Sequence, residues 1–125
     1  MDLNLYYYKA LVTKVIDGDT IDVMIDLGFE TYTKARLRFS VADTPEIHGV
    51  KKTSEEYKEG MEAKNFVVDK ILDQKVIIKT EIDKDGSDKK GTFKRYLATI
   101  YYGDEHIDLN AELLEIGLAE PYDRR

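Results

Sequence analysis

The chain has 125 residues, a net charge of -6 at neutral pH, 42% hydrophobic residues and no cysteine. This is the composition of one globular domain, residues 1–125, and it excludes disulfides and thiolate metal centres. No apolar run approaches the length of a membrane span, and the start Met1-Asp2-Leu3-Asn4 lacks the basic and apolar parts of a signal peptide. The expectation is an intracellular monomer with no membrane contact, secreted only if a leader has been removed. The acidic balance speaks against a polyanionic partner. Phosphate contacts are local, however, and a bound divalent cation would reverse the sign of its site.

Leu11, Thr13 and Val15 alternate with their neighbours up to Asp17-Gly18, as in a strand entering a hairpin turn. Thr20 to Asp26 returns as a second strand, Leu27-Gly28 turns, and a third strand is predicted from about Thr31 to Val41. On that strand Leu37, Phe39 and Val41 would share one face, and Arg36, Arg38 and Ser40 the other. Thr53-Ser54-Glu55-Glu56 reads as a capping box with Thr53 as N-cap. It opens a helix that runs to Leu72, with Ala63, Phe66, Val67 and Ile71 on the apolar stripe. Gly60 weakens that helix by about 1 kcal/mol relative to Ala. A fourth strand covers Lys75 to Ile82, and a charged, mobile loop is expected from Asp83 to Lys90. A fifth strand follows from Arg95 to Tyr102, then a short helix from Leu109 to Ile116 capped by Gly117. The whole is an α+β pattern whose five short antiparallel strands suit a Greek-key barrel of the OB type, with one longer and one shorter helix.

Three carboxylates draw attention. Asp19 follows the first turn, and Asp43 and Glu46 flank a rigid Thr44-Pro45 pair at the end of the third strand. Taken singly, each fits a solvated turn. If the turn and the strand end are neighbours, their mutual repulsion calls for a cation, and oxygen-only ligands point to Ca²⁺ or, second, Mg²⁺. The two histidines, His48 and His106, are too far apart in sequence for a zinc pair. Arg38 lies on the same strand as the acidic turn, and Arg95 opens the fifth. A guanidinium fork matches phosphate oxygens, although Arg36 projects from the same face and competes for that role. Acids for a cation and arginines for a phosphate together read as metal-assisted chemistry on a phosphodiester.

Val15-Ile16-Asp17-Gly18-Asp19-Thr20, Arg38 through Glu46, Arg95-Tyr96-Leu97-Ala98 and Asn110-Ala111-Glu112-Leu113-Leu114 resemble, in that order, the signatures of the staphylococcal nuclease (thermonuclease, micrococcal nuclease) family. The resemblance implies an OB-type barrel, here without the family's C-terminal helix, that cleaves DNA and RNA with Ca²⁺ to 5′-hydroxyl and 3′-phosphate ends. It implies Asp19 and Asp43 as carboxylate ligands, Thr44 as a carbonyl ligand, and Glu46 as the residue that positions or deprotonates water. Arg38, favoured over Arg36 by the spacing, and Arg95 would bind the phosphate. Lys89 and Tyr122 are weaker candidates for substrate contact, by charge and by base stacking. The substrate would be single-stranded or locally opened nucleic acid. A non-catalytic nucleic-acid- or protein-binding module of the same fold is the alternative, and a domain trimmed from a longer protein is compatible with either.

Overall fold

A computed structural model describes residues 3–82, 85–90 and 95–121. Period-two alternation of apolar residues builds the first three strands: β1 (Tyr7–Asp17), β2 (Thr20–Asp26) and β3 (Tyr32–Phe39). They form an antiparallel meander. The strand β5 (Lys75–Thr80) pairs antiparallel with both β1 and β6 (Tyr96–Tyr102). β6 then closes the barrel on β3, with Leu37–Phe39 beside Tyr96–Ala98. This is the expected five-strand OB-type barrel, with one correction: the closing pair is parallel, because β6 returns to β3 in the same direction. Two short strands, β4 (Ala42–Asp43) and β8 (Glu120–Pro121), pair outside the barrel, and β7 (Ile107–Asp108) lies beside β6.

The inner faces supply Val12, Ile21, Val23, Leu37, Phe39, Ile78 and Ile100 to the core. Helix α1 (Glu55–Ile71) covers it with Val67 and Ile71, and helix α2 (Leu109–Glu115) with Leu109 and Leu113. Each such side chain contributes about 1.5–3 kcal/mol on burial. Among the described residues no helix is long and apolar enough to cross a membrane.

Local details depart from the expectations for physical reasons. β3 stops at Phe39 rather than Val41. Ser40 N donates to Ala98 O at 2.9 Å, and Val41 turns out to solvent with φ +60°. Leu37, Arg38, Phe39 and Ser40 are therefore all buried in succession, and the simple two-face alternation fails there. The N-cap of α1 is Ser54, not Thr53: the Ser54 hydroxyl accepts from Tyr57 N at 3.1 Å and donates to Lys51 O. The segment 88–90 is not a free loop, since Lys89 N donates to Glu81 O at 2.7 Å and its carbonyl accepts from Leu97 N at 2.9 Å.

Two glycines are required by close approach. A Cβ on Gly60 would lie 2.6 Å from Pro45 O and 2.5 Å from Ile47 Cγ2. The helical penalty of Gly60 is thus the condition for the 45–47 segment to lie against α1. Gly18 is not left-handed, as an Asp-Gly hairpin turn would demand. Its missing side chain instead lets the β1–β2 turn approach Thr44 and Ala63, which a Cβ would meet at 2.8 Å.

Candidate active site

The β1–β2 turn, the end of β3 and the start of β6 meet at one end of the barrel. In the register, Thr20 stands opposite Arg38, and Arg38 opposite Leu97. Asp19, Arg38, Thr44 and Arg95 are brought together there.

Asp19 is the hub. It is 7% exposed, and its Oδ2 accepts from Thr44 N at 3.0 Å and from the Thr44 hydroxyl at 3.1 Å. Arg38 Nη2 lies 3.5 Å from the same oxygen. Asp19 Oδ1 accepts from the Thr20 hydroxyl at 3.0 Å, and that hydroxyl accepts from Arg95 Nη1 at 3.2 Å. Arg95 thus reaches Asp19 through Thr20. Burial pushes the Asp19 carboxyl upward. The hydrogen bond with Asp17, the charge of Arg38 and the donors on Thr44 and Thr20 outweigh it and hold the group below its ordinary value.

Arg38 is only 6% exposed. Its Nη1 donates to Phe39 O at 2.7 Å and Ala42 O at 2.6 Å, and its Nη2 to Asp43 Oδ1 at 3.1 Å. The guanidinium ties the 40–43 bend to β3 and holds Asp43 beside Asp19. Arg36, its competitor in sequence, is committed elsewhere in a bidentate pair with Asp22 at 2.7 and 3.1 Å. Glu46 is exposed, and its Oε1 accepts from His48 N at 3.0 Å. With Asp43, Thr44 and Pro45 it lines an open cavity of about 410 Å³, whose further walls include Glu56, Glu59 and Glu120. Lys89 is placed away from this cluster, 3.9 Å from Glu81. Tyr122 lies outside the described residues.

Two contributors were given no role of their own from the sequence. Asp17 accepts from Asp19 N at 3.0 Å. Burial, the hydrogen bond with Asp19 and repulsion from Asp19 push its carboxyl up to about 7. Asn110, 1% exposed on α2, accepts from Ile100 N at 3.1 Å and donates to Ser40 O at 2.8 Å and Ala98 O at 3.0 Å. It pins the bend that carries Asp43. The signal available in sequence was a carboxamide inside an apolar helix stretch.

A hard divalent cation fits this site in charge and donor type. The donors are all oxygens; Asp43 is raised first by burial and, against the lowering effect of Arg38, by Asp19, Glu120 and Glu46. Asp43 Oδ2 accepts no hydrogen bond among the described residues. Among those residues no three carboxylate or imidazole groups converge in ligating geometry, so a cation here would rest on fewer than three such groups and on water.

A family model described as staphylococcal nuclease homologue matches residues 36–125. The chain is also similar to the uncharacterized protein MJ1439 of Methanocaldococcus jannaschii, 34% identical across 98% of this chain. The chain spans 62% of the length of that protein.

Proposed function

The chain belongs to the staphylococcal nuclease homologues, and from that premise we propose that it is a Ca²⁺-dependent endonuclease acting on DNA or RNA. It would release 5′-hydroxyl and 3′-phosphate ends. The observation that carries this reading is the convergence on Asp19 of Arg38, Thr44 and, through Thr20, Arg95, beside Asp43 and the open cavity of Glu46.

The carboxylates of Asp19 and Asp43 and the carbonyl of Thr44 would hold the cation, which when bound neutralises charge on the phosphate and polarises it. Glu46, which lines the open cavity, would orient water and take its proton as the water oxygen bonds to phosphorus. The bond from phosphorus to O5′ breaks, and O5′ would take its proton from solvent in the open cavity. The transition state carries more charge than the ground state, and Arg38 and Arg95 supply fixed positive charge against it. Thr20 links Arg95 to Asp19, so its hydroxyl couples the two.

The test is cleavage of denatured DNA and of RNA with Ca²⁺ against chelator, with Arg38→Ala as contamination control. Ca²⁺-dependent cutting lost in the variant supports the reading. Glu46→Ala is expected to lower turnover by about 10²–10⁴-fold while Ca²⁺ still binds. Loss of Ca²⁺ affinity would make Glu46 a ligand instead.

One observation favours a non-catalytic binding module: the Nη atoms of Arg38 donate to Phe39, Ala42 and Asp43, so the fork serves the protein itself. Absence of cutting by a folded chain that still binds a single-stranded oligonucleotide would establish that reading.

A further inference from the structure

The net charge of -6 is not spread evenly. Beside the site, the open cavity collects Asp43, Glu46, Glu56, Glu59 and Glu120. The outer face of the barrel has the opposite character. Register places Lys34, Met24, Leu11 and Lys75 in one row across β3, β2, β1 and β5, and Tyr32, Asp26 and Lys9 in the next. A groove of about 340 Å³ runs between these rows, lined by Lys9, Leu11, Met24, Asp26, Tyr32 and Lys75. A neighbouring groove of about 260 Å³ shares Lys9 and Lys75 and reaches Tyr101.

The lysines of this face are available. Among the described residues Lys9, Lys34 and Lys75 form no ion pair. The one carboxylate between them, Asp26, accepts from Gly28 N at 2.8 Å. Tyr32 is 60% exposed and offers an uncovered ring beside the cations. Cations around an apolar and aromatic floor match a polymer with phosphates at regular spacing and flat bases between them. A single strand supplies both, because its bases are unpaired and free to turn toward the protein. A polyanion reaching the site is repelled by the acidic cavity and attracted to Lys9 on β1, Lys34 on β3 and Lys75 on β5.

We propose that the outer face of β1, β2, β3 and β5 is an exosite that holds single-stranded nucleic acid outside the active site. Phosphates lie on Lys9, Lys34 and Lys75, and a base stacks on Tyr32. This rests on the nucleic-acid reading of the chain but does not require cleavage. Tyr32 lies six strand residues from Arg38, about 20 Å at a rise of about 3.3 Å per residue. A dinucleotide in the active site does not reach it.

The test is binding of a fluorescent oligonucleotide of about 16 nucleotides, the upper range for one OB fold, by anisotropy in chelator. Lys9→Glu/Lys75→Glu should weaken binding at least about tenfold and flatten the dependence of log affinity on log salt by about 1.4, the share of two single-strand phosphate contacts. Tyr32→Ser should weaken it about tenfold through lost stacking. A charge-matched control on α1, Lys58→Glu/Lys64→Glu, should change the slope little, and Ca²⁺-dependent cleavage of a dinucleotide should be the same in every variant. All substituted groups on the face are exposed, so folding is preserved.

Unchanged affinity and slope in the face variants, with cleavage intact in the wild type, would overturn the exosite and leave the nuclease reading standing. Weakened binding without any wild-type cleavage would support the exosite and remove the nuclease reading. A wild-type dimer that dissociates in Lys9→Glu/Lys75→Glu, with oligonucleotide affinity unchanged, would reassign the face to self-association and overturn the proposal.

Discussion

Arg36 and Arg38 stand two residues apart on β3, and each faces an aspartate, yet the two pairs are opposites. Arg36 meets Asp22 in a well-formed fork at 2.7 and 3.1 Å, with side chains 50% and 28% exposed. Arg38 meets Asp19 at 3.5 Å and Asp43 at 3.1 Å, with its own side chain 7% exposed and two backbone carbonyls on its Nη1. The better fork is the less consequential one. In water its attraction is screened, and such pairs contribute about 0.2–1 kcal/mol. The buried guanidinium has no water to fall back on, so removing it strands carboxylates and carbonyls together.

The comparison is broken most directly by exchanging each arginine for lysine. Arg38→Lys should lose at least about 100-fold in cleavage and about 3 kcal/mol in stability, because one ammonium cannot serve two carbonyls and two carboxylates. Arg36→Lys should stay within about 1 kcal/mol and cut at nearly the wild-type rate. Equal effects in a cleavage assay and a urea titration would mean that burial does not separate them.

The cradle of Arg38 is testable next. Asn110→Ala leaves Ile100 N, Ser40 O and Ala98 O without their side-chain partner, and should cost about 3 kcal/mol in chemical denaturation. A loss below about 1 kcal/mol would show that the 40–43 bend holds without Asn110. Gly18→Ala crowds Thr44 and Ala63 and should cost about 1–3 kcal/mol. Because it moves the Asp19 turn from Thr44, calorimetry should also show weakened Ca²⁺ binding, which the same change at exposed Gly103 would not produce.

The smallest effect belongs to the exposed pair and to pH. The Arg36 hydrogen bond lowers the Asp22 carboxyl from 3.8. A carboxyl lowered in the folded state contributes stability above its unfolded value and loses it as pH falls through the folded one. Asp22→Asn should therefore cost at most about 1 kcal/mol at neutral pH, and the gap from wild type should close as pH falls below about 4. A gap that persists in acid would assign the pair's contribution to packing rather than charge.

Much of this fold was legible along the chain. Strand alternation, the α1 stripe and the Gly117 C-cap with φ +81° follow from side-chain period and backbone sterics, which are local. The motifs that hold Asp19, Arg38, Thr44 and Arg95 were also legible, because each keeps fixed spacing within a single segment, and the barrel brings these four residues together. Contacts between segments were not. Neither spacing nor composition could show that Arg38 is buried and Arg36 exposed, since both sit at the same parity on β3. Gly60 and Gly18 read as a helix defect and a turn former until Pro45 and Thr44 were seen against them. Asn110 read as part of a helix until Ser40 was found 2.8 Å away. Sequence by itself determined the strand and helix pattern and which acids and arginines stand at fixed spacing, because residue type and local period fix donors and charge. Only the tertiary structure decided which charges lost their water, because burial depends on segments that meet when the barrel closes.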